Sequence, residues 1–362
     1  MMQIEEKYKT QINYIASIYK NNNYKKALLE SNLLILKFKE LESSNFFNNL
    51  LGLINLALKD WDQSILYFNK AISLNKNILD PYFNLGIAYY DIGNLEKSLE
   101  YFLKVYTNGN NHNKSKYAII KILSFINPIN NFNNNLISLN NELNQIDINF
   151  DLKKKIDDYQ IEKLLENFKK ISKNKIDNFE YNEDQVYRRN EIELNCERHK
   201  KIFNIFGTIP EFCFGCIKIV INLENPIDLI KLVIFFDKFN EIKSFDRKCL
   251  IEKKKNKYKG YLYFSDVSTA KKISNLIIDK IAIIIGKKIN YEIKRGCSEY
   301  AEKFPEYKKV QDMMKFPTLW KENEFKFDEI NFKNGIPIKR NKQKSLNGMT
   351  LSDFLIFYNW VN

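Results

Sequence analysis

The chain has few of the residues from which metal, redox and acid–base sites are usually built. Its 362 residues include only five cysteines and two histidines, together with eleven glycines and seven prolines. So few cysteines exclude a disulfide-rich secreted scaffold and fit a protein of a reducing compartment. The phosphate-binding patterns GxxxxGK[ST] and GxGxxG are missing from the sequence. These deficits argue against most enzyme classes that a short motif can identify.

Long apolar runs are missing as well. The most apolar stretches, LIKLVIFF (229–236) and IAIIIG (281–286), are too short and too close to charged residues to cross a bilayer. The first residues, MMQIEEKYKT, do not combine a basic start with an apolar core, so a secretory signal is not expected. The hydrophobic fraction of 44% and the aromatic fraction of 14% are typical of a folded chain. We therefore expect a folded cytoplasmic protein without a membrane partner.

Positive charge is abundant, but arginine is scarce. The net charge of +13 comes mostly from lysine, which is used along the whole chain together with asparagine and isoleucine. The charge is densest in residues 247–260, 287–295 and 338–344. Arginine is the residue best suited to bidentate contacts with phosphate and guanine. We interpret the basic segments as solvated surface, and nucleic-acid binding stays open as an alternative.

An internal repeat is the clearest pattern in the sequence. Residues 50–75 align with residues 84–109 at a constant offset of 34 residues. The matched pairs are Leu51 and Leu85, Gly52 and Gly86, Ser64 and Ser98, Ile65 and Leu99, Tyr67 and Tyr101, and Phe68 and Phe102. Leu66 falls opposite Glu100, which indicates that this position lies outside the shared core. A glycine and a small residue allow two helices to approach closely, and the large apolar residues fill the space between successive pairs.

This pattern closely resembles the tetratricopeptide repeat, whose first helix contains Leu-Gly and whose second helix has a small residue followed by Phe. A weaker copy covers residues 14–37, and residues 114–126 are interpreted as a terminal helix that covers the open end. We therefore predict an α-solenoid of tetratricopeptide repeats over residues 1–127. The resemblance implies a right-handed superhelix with a concave groove that binds a peptide or a partner protein. A purely structural spacer is the alternative.

The second half has a different period. Residues 128–186 are interpreted as an Asn-rich helical linker that contains an amphipathic helix at 152–173. Strand-like runs at 217–223, 247–254, 261–266 and 288–296 then alternate with helical runs at 227–240 and 266–286, with a turn at 255–260. The order β-α-β-β-α-β resembles a ferredoxin-like fold. The fold class is therefore multidomain, an α-solenoid followed by an α+β domain at 187–300 and a C-terminal extension at 301–362.

Three of the five cysteines and one histidine cluster just before the first of these strands. Cys196 and His199 are separated by two residues, and so are Cys213 and Cys216. Two such pairs are what a tetrahedral Zn²⁺ ion needs, since each short loop supplies two ligands on one side of the metal. We predict that these four residues bind a structural zinc ion. Unligated thiols and redox or catalytic thiols are the alternatives.

Cys297 is the remaining thiol to which the sequence assigns a candidate role. It follows the fourth strand, between Arg295 and Glu299, and a neighbouring arginine favours a thiolate, so Cys297 is the candidate nucleophile of a thiol enzyme. Nucleic-acid binding depends instead on Tyr261, Tyr263 and Phe264, because aromatic residues on the sheet of such a fold stack on bases. The function that we predict is a non-catalytic interaction scaffold, with these two activities as alternatives.

Overall fold

The computed structural model describes residues 6–109, 112–130, 132–146, 150–173, 175–176, 181–188, 195–238, 249–311, 314–332 and 348–362. The basic segment 338–344 lies outside these residues. The chain divides into two compact units. Unit 1 draws on Met1–Ile119 and Lys321–Asn341, and unit 2 draws on Ile120–Trp320 and Lys342–Asn362.

The described residues are mainly helical. In chain order the helices are α1 Lys9–Lys20, α2 Tyr24–Lys37, α3 Asn45–Ala57, α4 Trp61–Leu74, α5 Asp80–Asp91, α6 Leu95–Asn108, α7 Asn113–Ile122, α8 Asn135–Asn144, α9 Asp158–Ser172, α10 Cys196–Phe206, α11 Glu211–Phe214, α12 Pro226–Lys238, α13 Val267–Ile285, α14 Lys321–Asn331 and α15 Leu351–Val361. No helix in the described ranges combines the length and the apolar character that crossing a membrane requires.

Unit 1 consists of helix pairs joined by tight turns. The turns after α1, α3 and α5 each contain a residue with positive φ, at Asn22, Lys59 and Gly93. Lys59 and Gly93 are 34 residues apart, so the backbone repeats with the same period as the sequence. The turn at Asn22 shows that the weaker first copy has the same local geometry.

Two glycines set the distance between the paired helices. A Cβ atom added at Gly52 would lie 2.4 Å from a ring carbon of Phe68, and one added at Gly86 would lie 2.7 Å from the ring of Phe102. Phe68 is fully buried, and Phe102 is nearly so. Each ring therefore occupies the space that a side chain on the facing helix would fill, which explains the matched Gly and Phe positions of the repeat.

A segment from far along the sequence also belongs to unit 1. Helix α14 packs against α2, and Lys25 Nζ donates a hydrogen bond to the carbonyl oxygen of Glu329. The C-terminal extension predicted from the sequence is therefore divided, since α14 is part of unit 1 and α15 is part of unit 2.

Unit 2 contains a five-stranded antiparallel sheet. The strands are β1 Gln185–Arg188, β2 Ile217–Leu223, β3 Cys249–Lys254, β4 Lys257–Phe264 and β5 Asn290–Arg295, in the spatial order β1-β3-β4-β2-β5. Helices α12 and α13 pack on the sheet and on each other. On β2 the odd-numbered residues from Ile217 to Leu223 are buried; of the even-numbered residues, Lys218 and Asn222 are partly exposed and Val220 is buried. This alternation is typical of a sheet with one covered face.

The hairpin between β3 and β4 is tighter than the sequence suggests. The prediction of a turn over 255–260 is wrong, because β4 begins at Lys257 and Lys254 pairs directly with it. Only Lys255 and Asn256 form the turn, with Lys255 at a φ of 55°. The lysine-rich segment therefore contains the start of β4, and the lysine side chains of β4 lie on the more exposed face of the sheet.

Strand β1 adds an edge to the sheet and contains a buried ion network. Arg188 Nη1 and Nη2 donate to Asp353 at 3.0 and 2.9 Å, and Arg188 Nε lies 3.4 Å from Asp237. The side chains of these three residues are 5–8% exposed. Asp353 also accepts from the amide of Thr350 at 2.8 Å, which caps α15. The network therefore joins β1, α12 and α15 through charges that are removed from water.

Helix α13 begins and ends with the caps that the sequence indicates. The carboxylate of Asp266 accepts from the amide of Thr269 at 2.8 Å and from its hydroxyl at 2.7 Å. Gly286 ends the helix with a φ of 82°. Asp266 is therefore the N-cap of α13, and Gly286 is its C-terminal glycine.

We expect Asp266→Ala to lower the free energy of unfolding of unit 2 by about 0.5–2 kcal/mol at neutral pH. The hydrogen bonds from Thr269 hold the pKa of Asp266 below its usual value. The stabilisation by the carboxylate is therefore present above the pKa of the unfolded state and is lost as the pH falls through the lower folded pKa. Urea unfolding at a series of pH values measures this. The matched control, Asp266→Asn, keeps the cap and removes the pH dependence, and equal losses in both variants would contradict the assignment.

Candidate functional site

Two of the four predicted zinc ligands lie on α10. Cys196 is the first residue of this helix, and Asn195 caps it by accepting from a backbone amide. His199 lies one turn further, is 7% exposed and stacks on Phe212 with ring centroids 5.4 Å apart. His199 is therefore held in an aromatic environment on the buried side of α10.

The other two predicted ligands lie beside Cys297. Cys213 is in α11 and forms a side-chain hydrogen bond with Cys297. The amide of Cys216 donates to the carbonyl oxygen of Cys213 at 3.1 Å. The sulfur of Cys216 lies against Gly296, where an added Cβ atom would be 2.4 Å from it. Cys213, Cys216 and Cys297 form what we call the thiol cluster.

Within the described ranges, no three histidine, cysteine, aspartate or glutamate side chains have positions that fit a metal ion. The structure brings Cys213 and Cys216 together with Cys297, and it leaves Cys196 and His199 on a separate helix. Zinc binding by Cys196, His199, Cys213 and Cys216 stays a prediction.

Elemental analysis of the purified full chain tests the zinc prediction. If the four residues bind zinc, the chain contains one zinc ion, which is lost in His199→Ala and in Cys213→Ser because each variant removes one of four ligands. A chelator is expected to lower the melting temperature, since metal binding stabilises the folded state. Cys249→Ser is the control, because Cys249 is buried in β3 outside the predicted set. Metal-free protein whose melting temperature does not respond to a chelator would contradict the prediction.

Aromatic side chains surround the thiol cluster. Tyr300 and Tyr307 are fully buried, with ring centroids 5.6 Å apart. The hydroxyl of Tyr307 donates to the carbonyl oxygen of Cys213 at 2.8 Å, and the hydroxyl of Tyr300 lies 3.7 Å from the sulfur of the same residue. The other apolar residues packed around the cluster are Phe203, Ile209, Phe214, Phe304, Met314, Phe316 and Trp320. The cluster therefore has its own small core at one end of the sheet.

A buried arginine lies in the same place. Arg295, the last residue of β5, is 3% exposed, and its Nη1 donates to the carbonyl oxygen of Phe214. The guanidinium lies 4.9 Å from the ring centroid of Tyr307. Its Nε and Nη2 are buried without a hydrogen-bond partner among the described residues. A buried guanidinium with two unused donors is costly unless something accepts from it, so a negative charge beside Arg295 would be stabilised.

The ionisable groups around the cluster are strongly perturbed. The hydrogen bond with Cys297, and then burial, raise the pKa of the Cys213 thiol far above its ordinary value. Burial raises the pKa of Tyr263 and lowers the pKa of Lys218, and both groups interact with Cys216 and Cys297. Perturbed pKa values with identifiable causes concentrate at functional sites. Unit 2 thus has its candidate chemistry at the thiol cluster.

An open cavity is lined by residues that begin directly after Cys297. Its volume is about 370 Å³, and the residues that line it are Ser298, Glu299, Ala301, Glu302 and Lys308. Ser298 and Glu299 directly follow Cys297. The cysteines of the thiol cluster are not among the residues that line the cavity.

The aromatic residues proposed for base stacking lie on two faces of the sheet. Tyr261 and Tyr263 alternate on β4 with Leu262 and Phe264, which are fully buried. Lys218 Nζ lies 5.5 Å from the ring centroid of Tyr261. Phe264 is therefore part of the core, and only the two tyrosines remain from the set that the sequence suggested for nucleic-acid contacts.

In unit 1, α3 and α5 are each the first helix of a pair, and each has a stripe of solvent-accessible residues. In α3 the residues that remain accessible are Phe46, Asn49, Leu53 and Ala57. In α5 they are Asp80, Phe83, Ile87, Tyr89 and Tyr90. Spacings of three and four residues place most members of each set on one face of the helix. The two stripes lie on neighbouring helices, since α3 and α5 are in contact. We call this surface the repeat stripe.

A hydrogen bond joins α3 and α5 beside the repeat stripe. Asn84 Nδ2 donates to Asn49 Oδ1 at 2.9 Å, between α5 and α3. Phe83 packs against Phe102 and His112, with ring centroids 5.3 and 5.5 Å apart. The stripe is mainly apolar and aromatic, and its amides supply polar groups between the rings.

Sequence reasoning missed the residues around the thiol cluster. Tyr300 and Tyr307 follow Cys297 in the segment CSEYAEKFPEY, whose tyrosines are seven residues apart and lie on short 3₁₀ turns rather than on one helix. The sequence shows that Arg295 is at the end of a strand next to Cys297. It does not show that Arg295 is buried, because this burial depends on packing by distant segments.

The scan against family models finds the tetratricopeptide repeat at residues 47–78 and 79–108. No curated protein matches the sequence significantly. Among solved structures, one crystal structure of MamA is 18% identical with a TM-score of 0.29, covering 32% of this chain and 61% of that one. A second MamA structure is 17% identical with a TM-score of 0.30, covering 33% and 71%. At these TM-scores the two similarities support no structural or functional inference.

Proposed function

We propose that this tetratricopeptide repeat protein is a protein–protein interaction scaffold whose repeat stripe binds an extended segment of a partner protein. The observation that carries the proposal is the match of residues 47–108 to the repeat, together with an accessible apolar stripe on α3 and α5. Repeat arrays bury their core between neighbouring helix pairs and leave one extended surface for binding.

The chemistry of the stripe suggests the kind of segment that it accepts. Phe46 is 49% exposed, and Leu53 and Ile87 are partly exposed on the neighbouring turns. Apolar side chains of the partner would be removed from water against these residues. Asn49 is partly exposed and supplies an amide group for the backbone of an extended chain. The partner segment is therefore an extended peptide with apolar side chains.

We expect Leu53→Lys and Ile87→Lys each to weaken peptide binding by about tenfold or more, which corresponds to about 1.4 kcal/mol. Each change places a charge in the apolar stripe, where it opposes contact with an apolar side chain. Peptides selected from a displayed random library on the full chain, with affinities measured by fluorescence anisotropy, provide the readout.

The matched control is Leu66→Lys on α4. Leu66 is 56% exposed and lies on the second helix of its pair, outside the stripe. Its replacement is expected to leave peptide affinity unchanged, and circular dichroism confirms that all variants are folded. Equal weakening by Leu66→Lys, or no peptide that distinguishes Leu53→Lys from the unmodified chain, would contradict the proposal.

We also infer that β2 to β5 with α12 and α13 form a ferredoxin-like module. The inference is supported by the order β5-β2-β4-β3 within the sheet and by one helix between β2 and β3 and another between β4 and β5. Strand β1 then extends this module at the edge beside β3. Because this fold serves many unrelated functions, its role has to be argued from the thiol cluster.

A further inference from the structure

The thiol cluster contains two cysteines that pack in one aromatic core but differ in accessibility. Cys213 is 3% exposed, whereas Cys297 is partly exposed. Their side chains form a hydrogen bond, and both pack in the same aromatic core. Thiol–disulfide exchange needs one accessible sulfur that attacks and a second sulfur close enough to complete the reaction.

The buried side chain of Arg295 is a second, independent feature that favours thiol chemistry at this cluster. It is 3% exposed, two of its nitrogens have no hydrogen-bond partner among the described residues, and it interacts electrostatically with Cys216 of the cluster. Sulfur carries negative charge when a thiol attacks a disulfide and when a thiolate leaves. A buried cation beside the cluster stabilises that charge, because a charge interaction is stronger where water is excluded.

We propose that Cys297 and Cys213 are a redox-active pair that reduces the disulfide of a small thiol. Cys297 is the attacking residue because it is the accessible member, and the cavity that begins at Ser298 has room for a small disulfide. Cys213 is the resolving residue because it is buried against Cys297. This activity goes beyond the scaffold function of unit 1 and does not depend on it.

The reaction has two balanced steps. The sulfur of Cys297, after losing its proton to solvent, attacks one sulfur of the substrate disulfide, and the bond between the two substrate sulfurs breaks. The first small thiol leaves with the electron pair of that bond and takes up a proton, which leaves a mixed disulfide on Cys297. Cys213 then loses its proton and attacks Cys297, so the second small thiol leaves and is protonated. The protein dithiol is oxidised to a disulfide, and the substrate disulfide is reduced to two thiols.

The other cysteines are less suited to this role. Cys249 is fully buried in β3 and interacts with Arg188. Cys196, at the start of α10, is not among the residues of the aromatic core that holds Cys213 and Cys297. Cys216 is 7% exposed, and its sulfur lies against the backbone of Gly296. A disulfide between Cys213 and Cys216 is therefore a competing outcome of the test.

The test uses the reduced full chain and glutathione disulfide. We expect release of two glutathione molecules per chain and a loss of two hydrogens from the protein mass. Alkylation and peptide mapping are expected to show a bond between Cys213 and Cys297, with the remaining three of the five cysteines alkylated. The melting temperature of each sample shows whether the protein, and with it the thiol cluster, is still folded.

Single variants separate the two roles. Cys213→Ser is expected to accumulate one glutathione on Cys297, because the first step proceeds and the second cannot. Cys297→Ser and Cys297→Ala are expected to release no glutathione above the protein-free control. Cys249→Ser is the matched control and is expected to react like the unmodified chain.

Four results would overturn the proposal. These are a bond between Cys213 and Cys216, an adduct trapped on a cysteine other than Cys297, no reaction of the folded chain, and a stoichiometric metal ion that must be removed before any cysteine reacts. The last result would favour the zinc prediction instead. None of these results affects peptide binding by the repeat stripe, so failure of this proposal can be distinguished from failure of the scaffold proposal.

Discussion

Replacing Arg188 with methionine lowers the free energy of unfolding of unit 2 by about 3–5 kcal/mol. The change leaves two carboxylates, Asp237 and Asp353, buried without the guanidinium that pairs with both. An unpaired buried charge is far more costly than the loss of an exposed ion pair. Urea unfolding of the full chain at neutral pH, followed by tryptophan fluorescence, measures the loss.

The pH dependence identifies the cause of this loss. Burial raises the pKa of Asp237 and the charge of Arg188 opposes that rise, so without Arg188 the pKa of Asp237 rises further and the folded variant binds protons more readily than the unfolded variant. Its free energy of unfolding therefore falls as the pH rises through the acidic range, and the deficit relative to the unmodified chain is smaller at low pH. Adding Asp237→Asn and Asp353→Asn to Arg188→Met is expected to recover much of the stability. A loss that is independent of pH would contradict the assignment.

Replacing Phe68 with alanine lowers the free energy of unfolding of unit 1 by about 3–5 kcal/mol. Phe68 is fully buried, lies against Gly52 and packs with Leu85 and Ala88 of the next repeat. The substitution removes a ring from the junction of two repeats, and neighbouring repeats depend on that junction. Urea unfolding followed by circular dichroism gives the free energy, and hydrogen exchange shows reduced protection across α3, α4 and α5.

Leu66→Ala is the matched control for Phe68→Ala. Leu66 is on the same helix but is 56% exposed, so its truncation is expected to change stability by no more than about 0.5 kcal/mol. The mismatch of Leu66 with Glu100 in the repeat alignment indicates the same difference. Similar losses in both variants would show that the junction of the repeats is not where unit 1 gains its stability.

The repeat was predictable because its signal is local and occurs twice. The pairs Gly52 with Phe68 and Gly86 with Phe102 are 16 residues apart in each copy, and the structure places each glycine against its phenylalanine. The residues matched by the repeat family include both pairs. A pattern that one helix pair determines can be read without knowing the rest of the fold.

The sheet was predictable where side chains alternate and not where another segment determines the burial. The strand at 217–223 was predicted at the bounds that the structure has. Strand β1 was missed because its four residues, QVYR, have no distinctive pattern. Arg188 is buried there only because Asp353, far away in the sequence, accepts from it. Pairing over such distances leaves no local trace in the sequence.

The candidate site was only partly predictable for the same reason. Spacing identified Cys213 and Cys216 as a pair, and the position of Cys297 after the fourth strand indicated that it lies at the same end of the sheet. The contact between Cys213 and Cys297, and the unused donors of Arg295, depend on the packing of Tyr300 and Tyr307. The spacing of residues cannot show such packing.

The position of α14 in unit 1 affects how the protein is made. During synthesis the ribosome releases α1 to α7 long before Lys321–Asn331 is translated, so the first repeats emerge while the surface of α2 that meets α14 is still uncovered. Leu29, Leu33 and Leu36 of the same helix are more than half exposed even in the finished unit. The surface of α2 that meets α14 therefore stays uncovered until nearly all of unit 2 has been translated, beside leucines that remain exposed throughout.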